Sequence, residues 1–425
     1  MAQSDTTTHM HTPRGTASDA AGKGDMAPTT GGERTRLDQP SARWLDDPAV
    51  FAVNRLPAHT DHMTVDGASG TLRQSLDGVW RARVVPSHLD RLPMESTDEH
   101  WQTAHIPPAF ASSRFDDAGY VDVNVPGCLE TQGLMRPQYV NIQYPWDGHE
   151  QPQAPHVPNS NLVALYRRTF DADPRVRQAL RAGERVSLTF DGAATAIYVW
   201  LNGAFVGYAE DAYTPSEFDV TDALGEEGNT LAVACFQYSS ASWLEDQDCW
   251  RFHGLFRGVR LDVRPRVHVR DMQATADWDV AAQCGVLDLR LALEGDAAAH
   301  SADVRVCAVD DGTGMPLWET TLDVDRQAAD DAVLRGRAAI ADVRAWSAEE
   351  PNRYRVDVLV RDAEGRLVET SSAVVGFRHV EIEHGIFTVN GERIVLRGVN
   401  RHEFDARLGR SVTEEDMLWD VRFMK

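Results

Sequence analysis

The stretch IYVWLNGAFVGYAEDAYTPSEFDVT, residues 197–221, predicts a β-hairpin followed by a sharp turn. Apolar residues alternate on both sides of Asn202-Gly203, and Asn-Gly is a strong signal for a type I′ hairpin because both turn positions need φ > 0. Pro215 cannot continue a strand ladder, so the backbone turns away there. Asp211 therefore lies where a strand leaves a sheet, and a carboxylate there can bind a sugar hydroxyl or a small cation.

The residue types alone leave a second interpretation of this turn open. Glu210, Asp211, Glu217 and Asp219 are acids in or beside a turn, where solvated charges are the usual outcome. The turn by itself therefore does not decide between a binding site and a solvated surface.

Four separated motifs give a more specific indication. They are YTPSEFDVT at 213–221, WLEDQDCWR at 243–251, GLFR at 254–257 and RGVNRHE at 397–403. In this order and at this spacing they resemble the large β-galactosidases of glycoside hydrolase family 2, the lac-operon type. The resemblance runs from about Trp44 to Lys425. It implies that Asp211 contacts galactose and ligates a sodium ion.

Composition and charge limit the partners and the compartment. The chain has 425 residues, of which 42 are basic and 65 acidic, for a net charge of −23. A polyanion such as nucleic acid or an anionic membrane is therefore not expected as a partner. The five cysteines are scattered with no Cys-x-x-Cys pair, and no apolar run reaches the length of a membrane span. We expect a cytoplasmic protein.

The chain divides into four predicted regions, and the fold class is mainly β. Residues 1–43 carry almost no large apolar side chains and are expected to be disordered. Residues 44–263 contain many short strand-like runs, which indicate a β-sandwich. Residues 264–378 have the size and alternation of an immunoglobulin-like sandwich. The resemblance makes the first of these a jelly-roll sugar-binding domain.

Residues 379–425 change character and predict the start of a (β/α)8 barrel. Asn390-Gly391 marks a second hairpin, and Thr413 to Asp416 opens a helix with a capping-box pattern. A strand, a loop and a helix make one βα unit, which cannot close an eight-stranded TIM barrel. We therefore expect a truncated barrel, with the chain forming the N-terminal part of a longer protein.

The resemblance assigns candidate roles to a few residues. It implies that Asn141, Asp211 and His402 contact the sugar, and that His402 stabilises the transition state. An Asn side chain offers both a donor and an acceptor to hydroxyl groups. Asn400, Arg401 and Glu403 are expected to support the pocket. The family has Asn-Val where this chain has Asn141-Ile142, so Ile142 is a mild departure from the family pattern.

The bond-breaking groups are expected outside this chain. Retaining glycoside hydrolysis needs two carboxyl groups about 5–5.5 Å apart. In the resembled family both are glutamates on later barrel strands, which implies positions beyond Lys425, and the magnesium ligands lie there too. We expect the chain alone to be inactive. By resemblance the complete enzyme uses Mg²⁺ and Na⁺, forms a homotetramer and cleaves β-galactosides such as lactose.

A further acidic cluster and two alternative functions remain from the sequence. Glu245, Asp246 and Asp248 lack EF-hand spacing and are expected to support the pocket, with Arg251 and Arg257 as partners. One alternative is a non-catalytic carbohydrate-binding or interaction protein made of two sandwiches. Another is a sister activity, β-glucuronidase or β-mannosidase. A glucuronidase needs a cation for the sugar carboxylate, which suits Asp211 and Asn141 poorly.

Overall fold

The computed structural model describes residue 37 and the ranges 39–66, 72–86, 109–309, 314–323 and 332–425, with 63–66 described by backbone alone. The predicted tail 1–43 lies mostly outside these residues. Its described end forms the start of a short 3-10 helix, Ala42–Asp46, whose N-cap Ser41 accepts the amide of Arg43. Because Ala42 and Leu45 are buried, ordered structure begins slightly before Trp44.

The first region is built on two antiparallel sheets. Within the described residues, one sheet has the strand order β1-β10-β9-β12-β7-β4-β5 and the other β11-β8-β14-β3, and β6 pairs with β13 in a separate ribbon. The strands up to the first linker are β1 (Ala52–Val53), β2 (Met63–Asp66), β3 (Arg73–Ser75), β4 (Gly78–Pro86), β5 (Val121–Val125), β6 (Gln138–Val140), β7 (Leu162–Phe170), β8 (Arg185–Phe190), β9 (Ala196–Leu201), β10 (Ala204–Ala209), β11 (Ser216–Asp219), β12 (Asn229–Phe236), β13 (Cys249–Arg251) and β14 (Val259–Arg264).

The predicted hairpin is confirmed as the β9–β10 pair. Asn202 and Gly203 have φ of 54° and 87°, as a type I′ turn requires. Every residue of β9 and β12 is buried, because the larger sheet is covered on both faces. The smaller sheet covers one face, where Phe190 and Phe218 pack edge to face. Trp44 covers the other, stacked on Tyr198 with ring centroids 6.0 Å apart.

One helix in this region was not predicted from the sequence. Helix α1 (Pro174–Ala182) lies between β7 and β8. It begins with Pro174 in its first turn and ends at Gly183, which has φ of 73°. Proline at the start and a left-handed glycine at the end are standard helix boundaries, so the signal was present in Asp173-Pro174 and Gly183.

The second region is a sandwich of a three-stranded sheet, β15-β16-β19, and a five-stranded sheet, β18-β17-β20-β21-β2, within the described residues. Its core contains Trp278, Tyr354 and Phe377. The strands that follow the first linker are β15 (His268–Asp279), β16 (Cys284–Glu294), β17 (Ser301–Ala308), β18 (Pro316–Asp323), β19 (Ala332–Ile340), β20 (Tyr354–Arg361) and β21 (Leu367–Val375).

One strand of this second sandwich comes from within the range predicted for the first. Strand β2 pairs antiparallel with β21, with Met63 opposite Ser372 and Asp66 opposite Glu369. This pairing has no signal in the residue pattern, because a short edge strand contributes little hydrophobic periodicity of its own.

The last region holds a three-stranded sheet and a helix. The sheet contains β22 (Val380–Glu383), β23 (Ile386–Val389) and β24 (Glu392–Arg393), and α2 (Glu414–Met424) follows. Thr413 and Asp416 form the predicted capping box. Residues 395–412 belong to none of the described strands, so the first barrel strand is not paired. None of the helices among the described residues has the length and apolar character needed to cross a membrane.

Candidate functional site

The turn after β10 presents Asp211 on the surface. Its φ is 79°, in the left-handed region that Asp tolerates better than most residues. Carboxylate Oδ1 accepts the backbone amides of Tyr213 and Thr214, both at 3.3 Å, and Oδ2 accepts the Thr214 hydroxyl. The side chain is therefore exposed yet held by its own turn, with lone pairs left for a ligand.

Two of the neighbouring acids, Glu210 and Glu217, are buried and not solvated as the simpler interpretation of this turn expects, whereas Asp219 is 40% exposed at its side chain. Glu210 is 3% exposed and accepts hydrogen bonds from the Ser240 hydroxyl at 2.9 Å and the Ala241 amide at 3.0 Å. Burial raises the pKa of Glu210, and these hydrogen bonds partly oppose that shift. Glu217 is also buried, with its carboxylate 3.2 Å from Nε2 of His59. Asp211 is thus distinguished from Glu210 and Glu217 by its exposure.

Asn141 lies beside the segment 243–251. Strands β6 and β13 pair with Val140 opposite Cys249, which brings the residue after β6 next to this segment. The carbonyl of Asn141 accepts the amide of Asp248 at 3.1 Å. The Tyr139 hydroxyl donates to Asp248 Oδ1 at 2.5 Å. The exposed side chain of Asn141 therefore stands on a backbone that is fixed to the 243–251 segment.

His402 approaches the same segment from the last region. Its Nδ1 lies 3.8 Å from Sγ of Cys249. His402 itself is exposed. The predicted amide and imidazole therefore belong to residues that contact Asp248 and Cys249, which are adjacent in the chain.

The Asp211 turn contacts the same 243–251 segment, at Glu245 and Asp246. Glu245 Oε1 accepts the amide of Ala212 at 2.9 Å, and the Tyr213 hydroxyl donates to Asp246 Oδ1. Burial, followed by the charges of Asp246 and Asp211, raises the pKa of Glu245 to about 7. The 243–251 segment is thus the common support of all three predicted sugar contacts.

Arg410 is a site residue that the sequence did not reveal. Its guanidinium pairs with Asp246, donates to the Trp250 carbonyl at 2.6 Å and lies over the Tyr213 ring at 5.2 Å from the centroid. The side chains of Arg410 and Asp246 are 9% and 4% exposed. A single Arg in the sequence Leu-Gly-Arg carries no signal for this contact, because its partner is 164 residues away.

The expected partners of the acids need correction. Arg251 donates to the carbonyl of Glu245 at 3.1 Å, so it contacts the backbone and not the carboxylate. Arg257 donates to the carbonyl of Tyr213 at 2.9 Å. The carboxylate of Asp246 is engaged by Arg410 instead, because the last region reaches back to this segment.

The residues flanking His402 contact the following helix. Arg401 donates to Asp420 of α2 at 2.8 Å and to Glu403 at 3.0 Å. The contact with Asp420 connects the loop that contains His402 to helix α2. Asn400 and Glu403 are exposed. Within the described part of the chain, no hydrogen bond joins Asn400, Arg401 or Glu403 to Asn141 or Asp211.

The described residues offer an incomplete donor set for a metal ion. Among them, no three His, Cys, Asp or Glu side chains are grouped to hold a metal. Asp211 fits one ligand of a hard cation, since its carboxylate is exposed and only partly used by its turn. Sodium or magnesium would take further oxygen ligands, which these residues do not assemble.

Three consecutive parts of the chain match known sequence families. Residues 73–265 match "Glycosyl hydrolases family 2, sugar binding domain", residues 267–378 match "Glycosyl hydrolases family 2", and residues 380–425 match "Glycosyl hydrolases family 2, TIM barrel domain". The matches follow the order of the two sandwiches and the partial barrel unit.

Curated relatives cover nearly the whole chain. It is 46% identical over 402 residues to "Beta-galactosidase BgaC" of Bifidobacterium adolescentis, covering 91% of this chain and 36% of the relative. It is 44% identical to a β-galactosidase of Lactobacillus delbrueckii subsp. bulgaricus, covering 92% and 36%. A β-galactosidase large subunit of Latilactobacillus sakei is 35% identical, covering 91% and 60%. The chain therefore spans only part of the length of these relatives.

Solved structures share the fold. A β-glucuronidase of Bifidobacterium dentium aligns with a TM-score of 0.64 over 86% of this chain and 57% of its own, at 21% identity. Identity this low supports the fold alone. The family matches and the order of the domains show that the chain belongs to glycosyl hydrolase family 2.

Proposed function

We propose that this chain is the N-terminal part of a β-galactosidase that hydrolyses terminal non-reducing β-D-galactose residues, as in lactose, with retention. The observation that carries the proposal is the common support of Asn141, Asp211 and His402 on the 243–251 segment. The relatives named β-galactosidase, at 46% and 44% identity, supply the substrate class.

Each of the three side chains has a role suited to a neutral sugar. Asp211 is an exposed carboxylate that accepts hydrogen bonds from hydroxyl groups. The amide of Asn141 can donate and accept, which fixes the orientation of a hydroxyl. A neutral His402 imidazole donates one hydrogen bond and can stabilise charge that develops in the transition state.

The bond-breaking step is assigned to groups outside this chain. Glu403 is exposed and its carboxylate bonds Arg401, so it is poorly placed to act as one of two facing carboxylates. We place both catalytic glutamates and the Mg²⁺ ligands in a part of the protein that follows Lys425. Asp211 would supply one ligand to Na⁺, whose binding at the sugar would neutralise part of the carboxylate's charge.

The same site disfavours a uronic acid substrate. Glu245 and Asp246 lie beside the Asp211 turn, and the guanidinium of Arg410 is already engaged by Asp246. A glucuronate carboxylate brought here would meet the like charge of the Asp211 carboxylate, which costs free energy. The binding-protein and β-mannosidase alternatives have no observation of this kind in their favour.

We also propose a cytoplasmic location and a homotetrameric complete enzyme. The cysteines are free thiols in the described residues, which suits a reducing compartment. A small β-galactoside is the proposed partner, with no role for nucleic acid or membrane. Sedimentation of the complete enzyme would test the tetramer.

The proposal is tested with chromogenic glycosides. The 425-residue chain and a longer protein that continues past Lys425 are assayed on a β-galactoside and on a β-glucuronide. We expect turnover of the galactoside by the longer protein alone. Turnover by the 425-residue chain, or preference of the longer protein for the glucuronide, would contradict the proposal.

A further inference from the structure

A clasp formed by the buried pair Arg410 and Asp246 together with the more exposed Tyr213 joins the last region to the first sandwich. Arg410 pairs with Asp246, and the Tyr213 hydroxyl donates to the same carboxylate oxygen. The Tyr213 ring lies under the guanidinium. The charged pair of Arg410 and Asp246 is therefore largely shielded from water, where such contacts are stronger than at a surface, while the Tyr213 ring closes it on the more exposed side.

One arm of the clasp reaches the Asp211 turn. Tyr213 follows Asp211 by two residues, and its amide already donates to the Asp211 carboxylate at 3.3 Å. Fixing the Tyr213 hydroxyl on Asp246 therefore limits the rotation of this short turn. Asp211 needs such support, because a residue other than glycine with φ of 79° is held there by its surroundings.

The other arm reaches His402 through the segment 402–411. Arg410 donates its backbone amide to Sγ of Cys128 at 3.4 Å. The preceding Gly409, with φ of 65°, packs so closely that a Cβ would lie 3.0 Å from Sγ of Cys128 and 3.2 Å from the Phe252 ring. Asp405 and Gly409 exchange two backbone hydrogen bonds at 2.8 Å. Gly409 and Arg410, at the C-terminal end of the segment, therefore pack closely against the first sandwich.

The charges make the clasp sensitive to the loss of either partner. Two oppositely charged side chains buried together stabilise each other, and removing one leaves the other charged and unpaired. Burial opposes the charge on Arg410, but Asp246 raises the pKa of Arg410 above its ordinary value. Arg410 therefore remains charged throughout the neutral range.

We infer that Arg410 is a positioning residue for the sugar site: through Asp246 and Tyr213 it holds the Asp211 turn and the His402 segment in one geometry. The inference rests on the proposed function for its catalytic consequence. The clasp itself stands on the contacts alone. Misplacement of sugar-contacting groups by about 1 Å can lower a rate about 100-fold, so a residue without substrate contact can still matter.

The first test uses the 425-residue chain and hydrogen–deuterium exchange. Arg410→Met keeps an unbranched stem of similar bulk and removes the guanidinium with its charge. We expect the amides of 402–411 and 211–214 to exchange about tenfold faster through local opening, while the strands of the second sandwich are unchanged. Arg407→Met is the matched control, because Arg407 is exposed in the same loop and only approaches Asp405 at 3.7 Å.

The second test uses the longer protein at a temperature where every variant is folded. We expect Arg410→Met to lower kcat/KM about 10- to 100-fold, with a fall in kcat as well as a rise in KM, and Arg410→Lys to restore part of it. Tyr213→Phe keeps the ring and removes the hydroxyl, so it should act in the same direction but less strongly. A purely stabilising role would lower the melting temperature and leave kcat and KM of the folded enzyme unchanged.

The outcomes separate the two proposals. Unchanged exchange in 402–411 and 211–214 for Arg410→Met overturns the clasp, whatever the activity of the longer protein. Faster exchange together with unchanged kcat and KM overturns the positioning role. If the longer protein hydrolyses no galactoside while exchange in the variant is faster, the proposed function fails and the clasp is retained.

Discussion

Glu130 Oε1 lies 2.7 Å from Nδ1 of His253, and Glu130 Oε2 accepts the backbone amide of the same histidine at 3.0 Å. Both side chains are buried, with exposures of 0% and 3%. One carboxylate thus satisfies two donors of the residue that immediately precedes Gly254. It fixes the backbone two residues after β13, at the end of the 243–251 segment.

Replacing Glu130 by Ala should therefore destabilise the protein. Two buried donors of His253 would lose their acceptor, at a cost of about 2–5 kcal/mol in the free energy of unfolding. Denaturant unfolding of the 425-residue chain measures this. Asp122→Ala is the control, because Asp122 pairs with Arg81 at 2.7 Å on the surface with 69% of its side chain exposed. Equal losses in the two variants would show that the buried pair is unimportant.

Asp211→Asn tests the proposed sugar and sodium contact. Asn tolerates the left-handed backbone as well as Asp does, so the turn should persist. We expect kcat/KM of the longer protein for a β-galactoside to fall about 10- to 100-fold, as for loss of a charged hydrogen-bond partner, and sodium dependence to weaken. Asp219→Asn, on the neighbouring strand, serves as control. Unchanged kinetics and sodium dependence would remove Asp211 from the site.

Glu369 should make stability depend on pH. Its side chain is buried in the second sandwich, where Oε2 accepts the amide of Val269 at 2.5 Å. Burial raises the pKa of Glu369 to about 7 from an ordinary 4.5, against the opposing effects of Val269 and Arg264. Because the folded state holds this proton more tightly than the unfolded state, the contribution is fully present below about pH 4.5 and is lost as the pH rises through 7.

The size of this contribution is on the order of 3 kcal/mol. Glu369→Gln keeps an acceptor for Val269 and cannot ionise, so its free energy of unfolding should fall less than that of the wild type between pH 5 and pH 8. Glu364→Gln, at a side chain 65% exposed, should retain the wild-type pH dependence. Parallel curves for the wild type and Glu369→Gln would contradict the assignment.

Gly207 tests the packing of the hairpin. A Cβ at this position would lie 2.5 Å from the Phe218 ring and 2.6 Å from the carbonyl oxygen of Val53. Gly207→Ala should therefore destabilise the chain by about 1–3 kcal/mol through overpacking. Gly398→Ala, where nothing lies within 4 Å, is the control. A melting temperature for Gly207→Ala that matches the control would mean that the two sheets can separate slightly at no cost.

Elements with local signals were predicted well. Strand β8 (Arg185–Phe190) is one of the short strands expected between residues 44 and 263, because a β-branched and aromatic run between turn residues is a local pattern. The Asn202-Gly203 turn and the Thr413–Asp416 capping box are local in the same sense. Helix α1 was missed although its boundaries were visible, because its nine residues are too short to show a persuasive helical period.

Long-range contacts of the site could not be predicted from residue types. The sequence placed Asp211, Asn141 and His402 only through a family resemblance, and their roles remain predictions. The pairing of Asp246 with Arg410 joins two turns of different regions. Local propensity contains no information about such a contact, since its formation depends on how whole sheets pack. The expected partners Arg251 and Arg257 were chosen by nearness in sequence, which explains the error.

The pairing of β2 with β21 has a practical meaning for how this polypeptide can be divided. The backbone enters the second sandwich at Met63, returns to the first at β3 and crosses again after Arg264. If the gene were divided at residue 265, the C-terminal product would lack β2. Strand β21 would then be an unpaired edge strand, which is prone to self-association. The two sandwiches are therefore best expressed together, because each division of the chain at the linker removes a strand from the second one.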